Sequence, residues 1–250
     1  MIDCHCHLVD NKFKEDVNQV IQQAIEEGVN KFVVVPEFRN QFEKVMKLKE
    51  LFPNNVIAAI GIHPVQKKRR CCVLEDLQDM ERFIIDNREK IRCIGEFKSG
   101  VIHKEAQQES LTEQLRLARV FNLPVNVHSR SAPEETINIL SQTKLEGVLL
   151  HAFGGSDEDI LNGAQRGFFF SVPPSYASTE YGERLIRKVP LDLLLLESDS
   201  PALGPKKGER NTPSNCIISA NFISKMKELT LKDVIEITNR NAGRYLKLNG

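Results

Sequence analysis

The chain predicts an α/β fold closed into a (β/α)8 barrel. Three observations predict it. Short apolar runs alternate with amphipathic stretches from one end to the other. The runs number eight. Histidines and acids gather at the ends of those runs instead of scattering. With 250 residues the chain can bury a large core, and it is short for two ordinary domains plus a linker. Residues 1–250 therefore read as one barrel domain. An open, doubly wound sheet is the alternative architecture.

The strand candidates, in order, are Ile2–His7, Lys31–Pro36, Val56–Ile62, Ile91–Glu96, Pro124–His128, Gly147–His151, Gly167–Val172 and Leu191–Glu197. Several are almost continuously apolar, such as Phe32-Val33-Val34-Val35 and Val148-Leu149-Leu150. Parallel strands buried on both faces need that composition. Helical spacing fills the gaps. Val17, Val20, Ile21, Ala24 and Ile25 share one face, and Gly28 follows as a C-terminal stop. Leu111, Leu115, Ala118 and Phe121 repeat the pattern before Pro124, as do Leu185, Ile186 and Val189 before the last strand. Thr230-Leu231-Lys232-Asp233 reads as a capping start, with Asp in place of Glu. It leads into Val234, Ile235, Ile237, Ala242 and Leu246. No low-complexity segment, internal linker or repeat is visible.

Charge is balanced, 34 basic residues against 34 acidic. That excludes a general nucleic-acid coating surface, so any phosphate site must be local. Lys67-Lys68-Arg69-Arg70 reads as a solvated loop; Lys206-Lys207 with Arg210 is the other basic patch. The six cysteines, Cys4, Cys6, Cys71, Cys72, Cys93 and Cys216, show no repeated Cys-x-x-Cys spacing. They read as reduced thiols in a cytoplasmic or nuclear compartment. No signal peptide fits the N-terminus, and no apolar run is long enough to span a membrane. No protein partner is evident.

The chemistry lies at the strand ends. His5 and His7 are two apart, so on a strand both imidazoles project to one side. Cys4 and Cys6 are one register off and pack the other way as small hydrophobes. Glu96 ends strand four, His128 strand five and His151 strand six, while Asp199 follows strand eight. Each alone has an ordinary explanation, as a core histidine or a helix cap. In a barrel, however, all C-terminal strand ends meet at one rim. Six ligand-type side chains from five strands then converge. Crowding ionisable groups there requires a compensating charge, which divalent cations supply. Four His and two carboxylates exceed one tetrahedral zinc site and suit two ions sharing a bridging carboxylate. Glu96 can bridge, with His5, His7 and Asp199 on one ion and His128 and His151 on the other. Glu96 and Asp199 are the candidate catalytic groups, Asp199 as acceptor of the proton from attacking water. Zinc, manganese and magnesium all fit such donors.

Several segments together resemble the TatD family of metal-dependent deoxyribonucleases, within the amidohydrolase-like barrel superfamily. They are Asp3-Cys4-His5-Cys6-His7-Leu8, Gly61-Ile62-His63-Pro64-Val65, Ile94-Gly95-Glu96, Leu123 to Ala132, Leu150-His151-Ala152-Phe153 and Leu196 to Pro205. The resemblance covers essentially the whole chain. It implies a (β/α)8 barrel, two divalent ions and hydrolysis of DNA, often from an end. One departure stands out. The family continues from its strand-four Glu into a Gly-Leu-Asp loop, where this chain reads Phe97-Lys98-Ser99-Gly100-Val101-Ile102-His103. Turnover of a small amide, ester or phosphoester on the same metal pair is a second reading. A metal-binding scaffold that has lost turnover is a third, motivated by that altered loop.

Secondary candidates follow. Arg130, just past His128, and Arg210 are suited to a phosphate, and His63 to a substrate contact or a supporting place beside the ligands. Asp3 and Glu197 share a face with the ligands and are expected to orient an imidazole. His103 reads as a loop residue. A carboxylated Lys98 is disfavoured because Glu96 already fills the bridging place.

Overall fold

Eight strands form where the apolar runs stand: β1 (Ile2–Cys6), β2 (Lys31–Val34), β3 (Val56–Ile60), β4 (Ile91–Lys98), β5 (Val125–His128), β6 (Val148–His151), β7 (Phe169–Val172) and β8 (Leu194–Leu196). The computed structural model describes residues 1–63, 77, 79–98, 104–129 and 132–248. Each strand pairs in parallel with the next, in the unbroken order β1 to β8. A doubly wound sheet would reverse its order at a switch point; here nothing reverses. The ends meet through individual hydrogen bonds. Asp199 N–H donates to the His5 carbonyl at 2.9 Å, and His7 N–H donates to the Ser200 carbonyl at 2.7 Å. The sheet is therefore a nearly closed barrel.

The helices are α1 (Val17–Glu26), α2 (Phe42–Leu51), α3 (Met80–Asp86), α4 (Lys104–Val120), α5 (Pro133–Ser141), α6 (Asp157–Gln165), α7 (Glu180–Lys188), α8 (Cys216–Lys227) and α9 (Leu231–Tyr245). α1 buries Val20, Ile21 and Ala24, three of the five predicted face residues, and Gly28 follows at φ +90°. Thr230 caps α9 as expected, accepting from Asp233 N–H at 3.1 Å. Ser156 does the same for α6, where Asp159 returns the bond to Ser156 N–H at 2.8 Å. At the far end of α9, Tyr245 is wholly buried, its hydroxyl donating to the Val125 carbonyl at 3.3 Å. Burying a side chain of this size contributes about 1.5–3 kcal/mol. No helix among the described residues is long and apolar enough to cross a membrane.

Every strand starts or stops one to three residues from its expected bounds, and three of these departures bear on the site. β1 stops at Cys6 because His7 N–H leaves the ladder for Ser200. β8 begins only at Leu194, after a tight turn over Leu191–Leu193. β4 runs past Glu96, pairing Phe97 with Val127 and Lys98 with His128, with a register shift between Ile94 and Phe97. Such bulges re-aim side chains, and the shift brackets Glu96.

Two glycines let the backbones approach at that bulge. A Cβ on Gly95, which sits at φ +154°, would lie 2.5 Å from the Asn126 carbonyl oxygen and 2.7 Å from its Cβ. A Cβ on Gly61 would lie 2.5 Å from the Gly95 carbonyl carbon. Neither obstacle is a flexible side-chain tip. Gly95→Ala should therefore lower stability by about 1–3 kcal/mol or more, the usual cost of overpacking. Urea unfolding is the check, and an unchanged midpoint would contradict the close approach.

Candidate metal centre

β1 places His5 and His7 two residues apart, and both imidazoles turn to the same side. Their Nε2 atoms lie 3.1 Å apart. Both other ring nitrogens face acceptors. His5 Nδ1 is 3.0 Å from Asn126 Oδ1, and His7 Nδ1 is 3.0 Å from the Val35 carbonyl. The Asn126 amide cannot be reversed, because its Nδ2 donates to the Cys4 carbonyl at 3.1 Å. Each Nδ1 thus carries a proton, which leaves each Nε2 to take either a metal cation or a second proton. Asp199 Oδ1 stands 3.4 Å from both Nε2 atoms, and Glu96 Oε2 stands 3.7 Å from His5 and 3.4 Å from His7.

A second group faces the other oxygen of the same carboxylate. His151 Nε2 lies 3.2 Å and His128 Nδ1 3.5 Å from Glu96 Oε1, with 3.0 Å between the two nitrogens. The His5 and His151 rings stack at 3.6 Å between centroids, so the groups share a wall. Two bare lone pairs aimed at one another and at carboxylates repel unless a cation lies among them. Donors bound at 2.0–2.1 Å around a tetrahedral ion are separated by roughly 3.3 Å. The observed spacings match that edge. Overlapping triads of donors that could hold a metal are His5, His7 and Glu96; Glu96, His128 and His151; and His5, His151 and Asp199.

The electrostatics agree. Burial works against a charged His7, yet the bond to Asp199 and the charges of Glu96, Asp199 and Glu37 hold its pKa up at about 9. At His151 burial is likewise outweighed, by Glu96 and Glu197, and the pKa stands at about 10. Burial alone would raise Glu96, but His151, His63 and His5 keep it well below the usual carboxylate range. Asp199 is also held low despite burial, by His5 and His7.

The six residues expected at one rim are thus together. His63 joins them, its Nε2 3.9 Å from Glu96 Oε1. Glu197 stands beside the ligands as expected, short of a hydrogen bond to His151. It lies 3.6 Å from His151 Nδ1 and is itself fixed by Ala152 N–H at 2.9 Å and the Ser171 hydroxyl at 2.6 Å. Asp3 plays a different part from the one expected. It orients no imidazole; it accepts from Ser198 N–H at 2.9 Å and the Ser198 hydroxyl at 2.6 Å, anchoring the chain just before Asp199. Burial pushes its pKa up to about 7 against those bonds. Asp199 itself sits at φ +50°. Arg210 also departs from expectation. Its Nη atoms bind Asp16 at 2.9 and 2.6 Å and the Lys12 carbonyl at 2.7 Å, so the fork expected for a phosphate is occupied. Asn126 was not legible as a site residue, although the Asn inside an apolar run (Val125-Asn126-Val127) was the available signal. Arg130, Lys67–Arg70, Cys71, Cys72, His103 and most of the loop after Lys98 lie outside the described residues.

Barrel and site together define a class, the metal-dependent hydrolases that carry imidazole and carboxylate donors on the C-terminal rim of a parallel barrel. The chain belongs to the TatD related DNase family, whose model matches residues 2–247. It is 41% identical to human "Deoxyribonuclease TATDN3", across 97% of this chain and 93% of that protein. It is 31% identical to Bacillus subtilis "Uncharacterized metal-dependent hydrolase YabD", over the full length of both. The crystal structure of the TatD homologue YJJV from Escherichia coli superposes with a TM-score of 0.91 at 25% identity, covering 99% of this chain and 98% of that one.

The ring orientations and the charge balance can each be tested. Asn126→Ala should weaken divalent-metal binding about 10- to 100-fold, the usual effect of removing the group that orients a ligand histidine. Titration calorimetry measures it, and unchanged affinity would show that Asn126 does not set the His5 ring. The second test concerns pH. Raised folded-state pKa values stabilise fully below the unfolded value of about 6.5 and stop doing so as pH passes the folded values. For His7 and His151 those are about 9 and about 10. The melting temperature of EDTA-treated protein should therefore fall as pH rises from about 7 to about 10. Metal loading near neutrality should release protons, read as heats that vary with buffer ionisation enthalpy. A flat or rising melting temperature in that window would contradict the assignment.

Proposed function

We propose that residues 1–250 act as one catalytic barrel that hydrolyses phosphodiester bonds of DNA. In this reading His5, His7 and Asp199 hold one divalent ion, His128 and His151 hold a second, and Glu96 binds both. The observation that carries it is the Glu96 carboxylate, whose Oε2 faces the His5–His7 pair and whose Oε1 faces the His128–His151 pair. The deoxyribonuclease name of the human relative supports the choice of DNA. The mixed imidazole and carboxylate donors accept zinc, manganese or magnesium.

When bound, two divalent ions supply positive charge to the attacking and leaving oxygens and lower the pKa of water between them. The remaining work belongs to the chain. Glu96 sets the spacing of the two donor groups. Asp199, held ionised beside His5 and His7, accepts the proton from the attacking water. Asn126 and the Val35 carbonyl fix the ring orientations of His5 and His7, so those rings need no reorganisation during reaction. His63 and Arg130 are the candidate contacts to the phosphate being cleaved. The four described cysteines are free and buried, which supports a reducing cytoplasmic or nuclear setting.

The test is an assay of metal-loaded protein on single-stranded DNA, duplex DNA, bis(4-nitrophenyl) phosphate and 4-nitrophenyl acetate, with metal content measured in parallel. Wild type should carry two ions and cleave DNA. Glu96→Ala should abolish cleavage and reduce metal content with little change in circular dichroism, since the side chain is at the rim and not in the packed barrel interior. Protein that carries two ions and cleaves a carboxylic ester but no DNA would replace this reading with that of a small-ester hydrolase.

A further inference from the structure

A groove of about 580 Å³ opens between the β1–α1 and β8–α8 connections. Its lining includes Lys12 from the first connection and Pro201, Leu203, Lys206, Lys207 and Arg210 from the second. Both connections leave the barrel at the rim that carries the donors. Pro201 follows Asp199 by two residues, and two residues of chain span at most about 7 Å. The wall of the groove thus begins within a nucleotide's reach of the proposed proton acceptor.

Arg210 builds this groove instead of charging it. Its guanidinium grips Asp16 through two bonds, takes the Lys12 carbonyl and lies 5.0 Å over the buried Phe13 ring, tying one connection to the other. Asp16 neutralises its charge. The lysines are different. Among the described residues, the Lys12 and Lys207 ammonium groups meet no carboxylate, and Lys206 meets only the exposed Glu209, at 3.5 Å. Among the described residues Glu209 is also the sole acid lining the groove. In a chain of zero net charge, three cations around one cleft form a local positive field. Among the described residues of the lining, aromatic side chains, on which bases would stack, are absent. Lysine is a point charge with no geometric code for a base edge.

We propose that this groove binds the phosphodiester backbone of the substrate strand next to the scissile bond, through Lys12, Lys206 and Lys207 and without regard to base sequence. The assignment rests on the nuclease reading above and adds the track that would distinguish a polynucleotide from a small phosphoester. The loop after β8 thus serves twice, with Asp199 at its start and the backbone-binding lysines further along.

The experiment compares wild type with K206A/K207A, and with the distant pair K90A/K232A as control, on an oligonucleotide and on bis(4-nitrophenyl) phosphate across a salt series. Lys206 and Lys207 are exposed, and an unchanged melting temperature confirms that the variants fold. For K206A/K207A the oligonucleotide KM should rise about tenfold with kcat nearly constant, and the log–log salt slope should shrink by about 0.7 for each phosphate that the variant no longer neutralises. The KM for the small diester should change by less than about twofold, because its single phosphate sits at the reacting centre and leaves none for the lysines to neutralise. The control pair should behave as wild type. A K206A/K207A protein with the oligonucleotide KM and salt slope of wild type would overturn the groove and leave the nuclease reading standing. An equal loss on both substrates would also overturn it, since lysines that hold a neighbouring backbone phosphate have none to hold on a diester with a single phosphate. Wild type that cleaves no oligonucleotide would overturn the nuclease reading, and this assignment with it.

Discussion

One carboxylate governs the rim. Glu96 is almost wholly buried, five imidazoles crowd around it, and Asp199 stands beside two of them. Imidazole nitrogens with free lone pairs do not choose to meet at 3.0–3.1 Å. In the absence of a cation the cluster is relieved by protons, which is why His7 and His151 are held charged. With cations the same atoms become donors. The surrounding structure can be understood as the means of holding this unfavourable arrangement in place, since a loosely held rim would relax by turning its rings away.

The barrel does that holding with few parts. Gly61 and Gly95 allow the chain after β3 and the bulged β4 to lie against β5, which aims Glu96 and leaves room for Asn126. Asn126 then reaches His5, so one strand carries both a donor of the second group and the orienting residue of the first. On the opposite side the seam between β1 and β8 is sealed by backbone bonds from Asp199 and His7, and by Asp3 on Ser198. Closing the barrel and placing Asp199 are thus the same event. A fold with consecutive parallel strands makes this economical, because every strand delivers its last residues to one end.

The connections beyond the strands decide what the rim can address. The β8–α8 connection is long, and Asn211 braces it by donating to the Ser198 carbonyl at 2.6 Å and the Ala202 carbonyl at 2.7 Å. Arg210, its neighbour, braces it against the β1–α1 connection. Chemistry and substrate recognition therefore sit on adjacent stretches of one segment, fixed by different side chains. That separation permits substrate preference to change without disturbing the donors, as expected of a fold whose functions vary through its loops.

Strand number, parallel pairing and the gathering of the six candidate ligands at one rim were legible in the sequence, because each depends on local pattern. An apolar run such as Phe32 to Val35 can be only a buried strand or helix segment, and the two-residue spacing of His5 and His7 puts both on one face whatever follows. What the sequence could not disclose were contacts between residues far apart in the chain. Asn126 meets His5 across 121 positions, and Asp3 meets Ser198 across 195. Both were decided by barrel closure. Asp3 shares a face with the histidines, yet the seam claims it for the backbone of β8's extension. Arg210 carries a phosphate-binding fork in its covalent structure, yet Asp16 reaches that fork first. Periodicity reports which side of an element a residue occupies. Which partner it finds there depends on the tertiary fold, because hydrogen-bonding capacity is used by whichever acceptor the closed chain brings within about 3 Å.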